Sequence, residues 1–185
     1  MSGAIDDKVV ILDRDGTIVI DRNYLSDAAG LEFLPGAPEG LRSMHEQGYR
    51  LIVITNQSGV GRGLFSLDSL HQMNVRLQEM FRMSGARLER IYFCPHRPEE
   101  QCECRKPKIR LLMDAASELG FDPSRAVVIG DQSSDVEFGK RAGAVTMLVA
   151  AQGSAGALHS IAPDYVVRDL RQAAALLQSR DDGAT

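Results

Sequence analysis

The chain has 185 residues, 44% of them hydrophobic and 25% charged, with a formal net charge of −4. That fits a single soluble globular domain with a full core, and the acidic balance leaves no footprint for nucleic acid. No apolar run approaches the roughly 18–20 residues that cross a bilayer, and residues 1–7 lack the basic-then-apolar order of a secretory signal, so a cytoplasmic protein away from membranes is expected.

In chain order, the apolar run of 8–13 predicts a first strand and 37–47 a helix. A strand over 50–55 follows, then a helix over 67–83 with Ser66 as its N-cap. A strand over 90–93 precedes a helix over 109–119, and a strand over 126–130 precedes a helix over 134–142. The last elements are a strand over 144–149, a weaker one over 164–167 and a helix over 170–179, with the polar tail 180–185 expected to fray. Gly48, Gly85, Gly120 and Gly143 each follow a predicted helix, where a left-handed C-terminal cap belongs. Short β-rich runs alternating with amphipathic helices indicate an α/β fold, a Rossmann-like parallel sheet with helices on both faces. With no second-domain boundary, residues 1–185 read as one domain.

The chemistry-bearing residues cluster at the ends of the predicted strands. Asp13-Arg14-Asp15-Gly16-Thr17 follows Val9-Val10-Ile11-Leu12, and alternation along an extended chain turns Asp13 and Asp15 to one side. Like charges that close invite a divalent cation or a shared proton; the plainer reading is a pair of capping acids at a strand–loop junction. Thr55-Asn56-Gln57-Ser58-Gly59 ends the second strand with hydroxyls and amides able to bind an anion, or to cap the next helix. Gly130-Asp131-Gln132 ends the fourth strand, where Asp131 with Asp13 and a phosphate oxygen could complete an all-oxygen site suited to Mg²⁺. Asp135 could be a further ligand, an acceptor behind the ligands or a helix-capping acid; the last two rank ahead of direct ligation. Arg105-Lys106-Pro107 precedes a predicted helix, and a Lys beside several acids can pin a phosphoryl group.

Cys94-Pro95-His96 and Cys102-Glu103-Cys104 form a C-x-H…C-x-C loop that holds all three cysteines of the chain within eleven positions. Two such extended tripeptides closed by a short loop can form a tetrahedral Cys3His site for structural Zn²⁺. Clustered cysteines in a reducing compartment more often bind metal than form disulfides. His45, His71 and His159 read as structural or surface residues.

Together and in this order, these motifs resemble the haloacid dehalogenase-like phosphatases, with Asp13–Thr17, Thr55, Lys106 and Gly130-Asp131 plus Asp135 at the matching positions. The closer resemblance is to the zinc-containing heptose 1,7-bisphosphate phosphatases and histidinol phosphate phosphatases, through Leu12-Asp13-Arg14-Asp15-Gly16-Thr17, Thr55-Asn56-Gln57-Ser58-Gly59, Cys104-Arg105-Lys106-Pro107 and the cysteine loop. The resemblance implies a fold without a large cap domain, with the small zinc-binding loop 94–104 standing in for a lid. It implies Asp13 as nucleophile, Asp15 as general acid/base, and Mg²⁺ held by Asp13, Asp131 and the backbone carbonyl of Asp15. It places Thr55, Asn56 and Lys106 on the transferring phosphoryl group, and Asp21, Arg22, Asn23, Tyr24 and Arg105 toward the leaving group, with Gln57, Ser58 and Gln132 also at the substrate. Two positions depart from the pattern: Gln132 stands where close relatives carry Lys, and Lys108-Ile109-Arg110 where many have a Pro-Gly step.

The leading expectation is therefore a monomeric phosphatase that removes the 7-phosphate of a small sugar, D-glycero-D-manno-heptose 1,7-bisphosphate, through an aspartyl-phosphate. Histidinol phosphate is the alternative substrate. A nucleic acid 3′-phosphatase fits the acidic charge poorly, and a non-catalytic zinc-braced binding protein has no need of the charge-balanced set Asp13, Asp15, Lys106 and Asp131.

Overall fold

The computed structural model describes residues 8–150 and 161–183. Among them, six parallel strands form one sheet: β1 Val9–Leu12, β2 Arg50–Asn56, β3 Leu88–Cys94, β4 Val127–Gly130, β5 Val145–Val149 and β6 Tyr165–Val167, in the order β3-β2-β1-β4-β5-β6. The helices are α1 Ala37–Glu46, α2 Ser58–Gly61, α3 Leu67–Ser84, α4 Arg110–Leu119, α5 Ser133–Arg141 and α6 Leu170–Gly183. The expected α/β fold class is borne out.

Strand alternation divides the core. Val10 and Leu12 of β1, with Leu51 and Val53 of β2, pack under α1, α3 and α6 through Leu41, Met44, Met73, Leu77 and Leu177. Val9 and Ile11, with Ile52 and Ile54, pack on the opposite face under α4 and α5 through Leu112, Ala115 and Phe138. Burial on both faces is why these strands read as continuous apolar runs. Ser66 Oγ accepts from the Ser69 N–H at 3.0 Å and caps α3. The four helix-following glycines all have positive φ, between 70° and 87°.

Three local features differ from the sequence expectation. β3 begins at Leu88 rather than residue 90, because Leu88 is buried and Glu89 receives both Nε and Nη2 of Arg50 on β2, at 2.9 and 2.8 Å. α2 was not expected, since two of its four residues are glycine; the Gly61 N–H donates to Pro95 O at 2.9 Å. α6 runs to Gly183 instead of fraying at 180, and Asp181 on its last turn accepts from Lys8 Nζ at 2.9 Å and from the Tyr49 hydroxyl at 3.2 Å.

All strands being parallel, their C-terminal ends lie along one edge. β1 sits between β2 and β4, so the order reverses there and leaves the crevice where open α/β sheets bind ligands. Between β1 and α1 the chain forms one 3₁₀ turn, Ala28–Gly30, and two isolated bridges, Asp15 with Val19 and Val19 with Phe33, and no inserted domain covers this edge among the described residues.

Candidate active site

Asp13 directly follows β1, and its N–H donates to Ile129 O of β4 at 3.0 Å. Lys106 reaches it from the loop before α4: Nζ lies 2.7 Å from Asp13 Oδ1 and 2.6 Å from Asp135 Oδ1. Lys106 and Asp135 are both buried. Asp135 Oδ2 accepts from the Gln132 N–H at 3.1 Å, so this carboxylate caps α5 with one oxygen and pairs with Lys106 through the other. Burial opposes the Lys106 charge, but the carboxylates of Asp13 and Asp135 outweigh it and hold the ammonium protonated.

Asp131 follows β4. Its Oδ1 receives the Thr17 hydroxyl at 3.3 Å and its Oδ2 the Gln132 amide at 2.7 Å. One carboxylate oxygen each of Asp13, Asp131 and Asp135 lies within 4.8 Å of the others. Three carboxylates here share one ammonium, which leaves two negative charges. Burial, and then the charge of Asp13, push Asp131 up to about 6. A hard, oxygen-only donor set with two uncompensated charges fits a dication such as Mg²⁺.

The glycines of these motifs exist for close approach. Gly16 has φ +78°, and a Cβ there would stand 2.3 Å from Asp131 Oδ2. A Cβ on Gly130 would stand 2.3 Å from the Asp135 carboxyl carbon. A side chain at either position would fill the cradle in which the acids converge.

Asp15 makes a separate network. Arg14 donates to it through Nε and Nη2, at 3.0 Å to Oδ2 and 3.1 Å to Oδ1, and Gln57 Nε2 donates to Oδ2 at 2.8 Å. Gln57 Oε1 accepts from Arg14 Nη2 at 2.9 Å, and Gln57 Nε2 lies 3.0 Å from Thr55 Oγ1. Burial raises the Asp15 carboxyl above its ordinary range, with Asp13 adding to it and Arg14 and Gln57 pulling against it.

A cavity of about 220 Å³ opens beside Asp15, lined in part by Asp21, Asn23, Tyr24, Asn56, Gln57 and Ser58. The Asn23 N–H donates to Asp21 Oδ1 at 2.9 Å, and Asn23 and Tyr24 have φ of 48° and 68°. Such left-handed conformations are uncommon in non-glycine residues and costly. Asn56 spends its amide on the backbone of Lys106, accepting from its N–H at 3.0 Å and donating to its carbonyl at 3.3 Å. Arg22 pairs with Glu32 at 2.6 Å and does not line the cavity, and Arg105 reaches the His96 carbonyl at 3.5 Å. The sequence reading missed Arg14, although a cation between two motif acids is itself a signal.

Cys94, His96, Cys102 and Cys104 converge at the end of β3. Cys94 Sγ lies 3.5 Å from Cys102 Sγ and 3.2 Å from Cys104 Sγ, Cys102 and Cys104 are 3.6 Å apart, and His96 Nδ1 lies 3.7 Å from Cys94 Sγ and 3.2 Å from Cys104 Sγ. A tetrahedral zinc with bonds of about 2.3 Å to sulfur and 2.0–2.1 Å to nitrogen has edges of about 3.5–3.8 Å, so the quartet fits zinc with small adjustments. The three thiols are free. His71 stacks edge-on against Phe93, and His159 lies outside the described residues.

A family model described as HAD-hydrolase-like matches residues 103–173. The D-glycero-beta-D-manno-heptose-1,7-bisphosphate 7-phosphatase of Helicobacter pylori is 42% identical over 154 residues, covering 83% of this chain and 88% of that one. The Haemophilus influenzae protein of the same name is 38% identical over 138 residues, covering 71% and 75%. Among solved structures, D,D-heptose 1,7-bisphosphate phosphatase from B. bronchiseptica, complexed with magnesium and phosphate, matches with a TM-score of 0.84 at 28% identity, over 94% of this chain and 99% of that one. The enzyme from Burkholderia thailandensis matches with a TM-score of 0.69 at 30% identity, over 94% and 99%.

Proposed function

The chain belongs to the haloacid dehalogenase-like phosphatases, in the D-glycero-beta-D-manno-heptose-1,7-bisphosphate 7-phosphatase family, and from that membership we propose that it removes the 7-phosphate of this small phosphorylated sugar through an aspartyl-phosphate. The observation that carries the reading is the Asp13–Lys106 pair, 2.7 Å apart, at the strand edge beside the cavity walled by Asp15.

In this reading a carboxylate oxygen of Asp13 attacks phosphorus in line with the ester oxygen. The new P–O bond forms as the bond to the sugar oxygen breaks, and Asp15 gives that oxygen its proton. Asp15 then takes a proton from a water that attacks the acyl phosphate, releasing inorganic phosphate and the Asp13 carboxylate. Lys106 and Thr55 hold the phosphoryl oxygens and offset their charge against Asp13. Asp21, Asn23, Tyr24 and Ser58 line the space for the departing sugar. Asp13, Asp131 and the Asp15 carbonyl would hold Mg²⁺, which when bound offsets the repulsion between carboxylate and phosphate. Cys94, His96, Cys102 and Cys104 would hold a structural zinc that braces the loop leading into Arg105 and Lys106.

Phosphate release with Mg²⁺ from the heptose bisphosphate and from histidinol phosphate, side by side, tests the substrate. The bisphosphate is expected to give the higher kcat/KM, and the reverse order would overturn the assignment. Asp13→Asn should abolish turnover of either ester; a wild-type rate would remove Asp13 as nucleophile.

A further inference from the structure

We propose that Arg14 and Gln57 are positioning residues for Asp15, locking its carboxylate so that Oδ1 alone is left to carry the proton exchanged with the leaving group. The inference rests on the reading of Asp15 as general acid/base and adds the residues that aim it.

The argument is one of hydrogen-bond valence. Asp15 Oδ2 accepts two hydrogen bonds, from Arg14 Nε at 3.0 Å and Gln57 Nε2 at 2.8 Å. Oδ1 has one, Arg14 Nη2 at 3.1 Å. A protonated carboxyl oxygen is itself a donor, so it fits poorly against two N–H groups already aimed at it; the proton belongs on Oδ1.

The clamp is itself held in place. Arg14 Nη2 donates to Gln57 Oε1 at 2.9 Å, and Gln57 Nε2 sits 3.0 Å from Thr55 Oγ1 on β2. Arg14 is 2% exposed and Gln57 4%, so neither fork nor amide can swing freely. A planar fork that meets a carboxylate side-on fixes its plane as well as its charge, which a lysine ammonium cannot do. Folding stability alone does not account for Arg14, because its Nη1 is buried without a partner among the described residues, a cost to the folded state.

The test compares two esters of similar size, phenyl phosphate with a poor leaving group and p-nitrophenyl phosphate with a good one. General acid–base catalysis contributes about 10²–10⁴-fold, so a misaimed acid in Arg14→Met should lose about 10–100-fold in kcat/KM on phenyl phosphate. On p-nitrophenyl phosphate, which leaves without a proton, the loss should stay within about 3-fold on the same argument. Arg14→Lys should not restore the difference. The double variant Arg14→Met/Asp15→Asn should be no slower on phenyl phosphate than Asp15→Asn alone, because a clamp acts only through the group it holds. Equal losses on the two esters, multiplying losses in the double variant, or full rescue by lysine would each overturn the proposal. Should Arg14→Met fail to fold, Gln57→Ala leaves Arg14 in place and must show the same ester selectivity at smaller size. Failure of the underlying reading looks different: Asp15→Asn would then cost both esters equally, and the proposal would fall with it.

Discussion

Lys106→Met separates what the buried lysine does for folding from what it does for chemistry. The ammonium lies 2.7 Å from Asp13 and 2.6 Å from Asp135, and the Asp135 side chain is only 3% exposed. Methionine keeps the length of the side chain and removes its charge, leaving Asp135 as a buried carboxylate whose other partner is the Gln132 N–H. Removing one member of a buried ion pair costs about 3–5 kcal/mol, which corresponds to about 6–20 °C in Tm for a chain of this size. Adding Asp135→Asn removes the orphaned charge, and the new side chain can still accept the Gln132 N–H. The double variant should therefore recover at least half of the lost Tm while phosphate release stays abolished, since the lysine is still missing. The assay is thermal unfolding in EDTA, so that no cation screens the acids, with phosphate release measured on the same samples in Mg²⁺. A single variant within about 2 °C of wild type, below even 1 kcal/mol on this scale, or a double variant no more stable than the single, would refute the claim that Lys106 neutralises Asp135 in the core.

Gly16→Ala puts a Cβ 2.3 Å from Asp131 Oδ2 at φ +78°, so Asp131 must move, and the Mg²⁺ concentration for half-maximal turnover should rise; an unchanged Mg²⁺ titration would remove Asp131 from the metal site. The wild-type protein should carry about one zinc per chain by plasma mass spectrometry, and Cys104→Ser should lose it and raise KM more than it lowers kcat; intact KM in the zinc-free variant would uncouple the loop from the substrate. Asp164 accepts from the Thr146 N–H at 2.8 Å and hydroxyl at 2.9 Å and pairs with Lys140. Burial works against its charge, yet Lys140 and Thr146 hold its carboxyl below the ordinary 3.8. A depressed folded pKa gives stability that is present above the unfolded value and lost as pH falls through the folded one. Asp164→Ala should cost about 1–3 kcal/mol at pH 7 by urea unfolding, with the gap shrinking below pH 3.8; an equal gap at pH 7 and pH 3 would show that the carboxylate charge plays no part.

The strands that carry the site were legible because they are buried on both faces. Nothing polar interrupts Val9–Leu12 or Val127–Gly130, and each ends at once in an acid or a Gly-Asp step. The convergence of their ends follows from strand order, which sequence alone did not supply. What could not be read were contacts made across long separations. Asp135 offered three roles in sequence, and only its position against Lys106 and Gln132 selects cap and ion-pair partner. Arg14 stands visibly between two motif acids, but its place against the Asp15 carboxylate depends on the Gln57 amide that closes over it from 43 residues downstream. The last turn of α6 was read as a frayed tail, because its anchors, Lys8 and Tyr49, lie more than a hundred residues upstream.

In the proposed function the cysteine quartet bears on catalysis through the backbone. Lys106 stands on no strand and no helix, yet its ammonium must meet Asp13 within hydrogen-bonding distance. Two devices fix it: the Asn56 amide, which brackets its N–H and carbonyl, and the quartet, whose last member, Cys104, lies two residues upstream. The same loop is tied to β2 and α2, with the Gln57 N–H on Cys94 O at 2.7 Å and the Gly61 N–H on Pro95 O at 2.9 Å. Asn56 and Gln57 are neighbours on the chain, so the bracket on Lys106 and the clamp on Asp15 share one turn after β2. Loosening the quartet should then disturb both the phosphoryl contact and the acid–base group, while Asp131, held by Thr17 and Gln132 on the other side of β1, keeps its place.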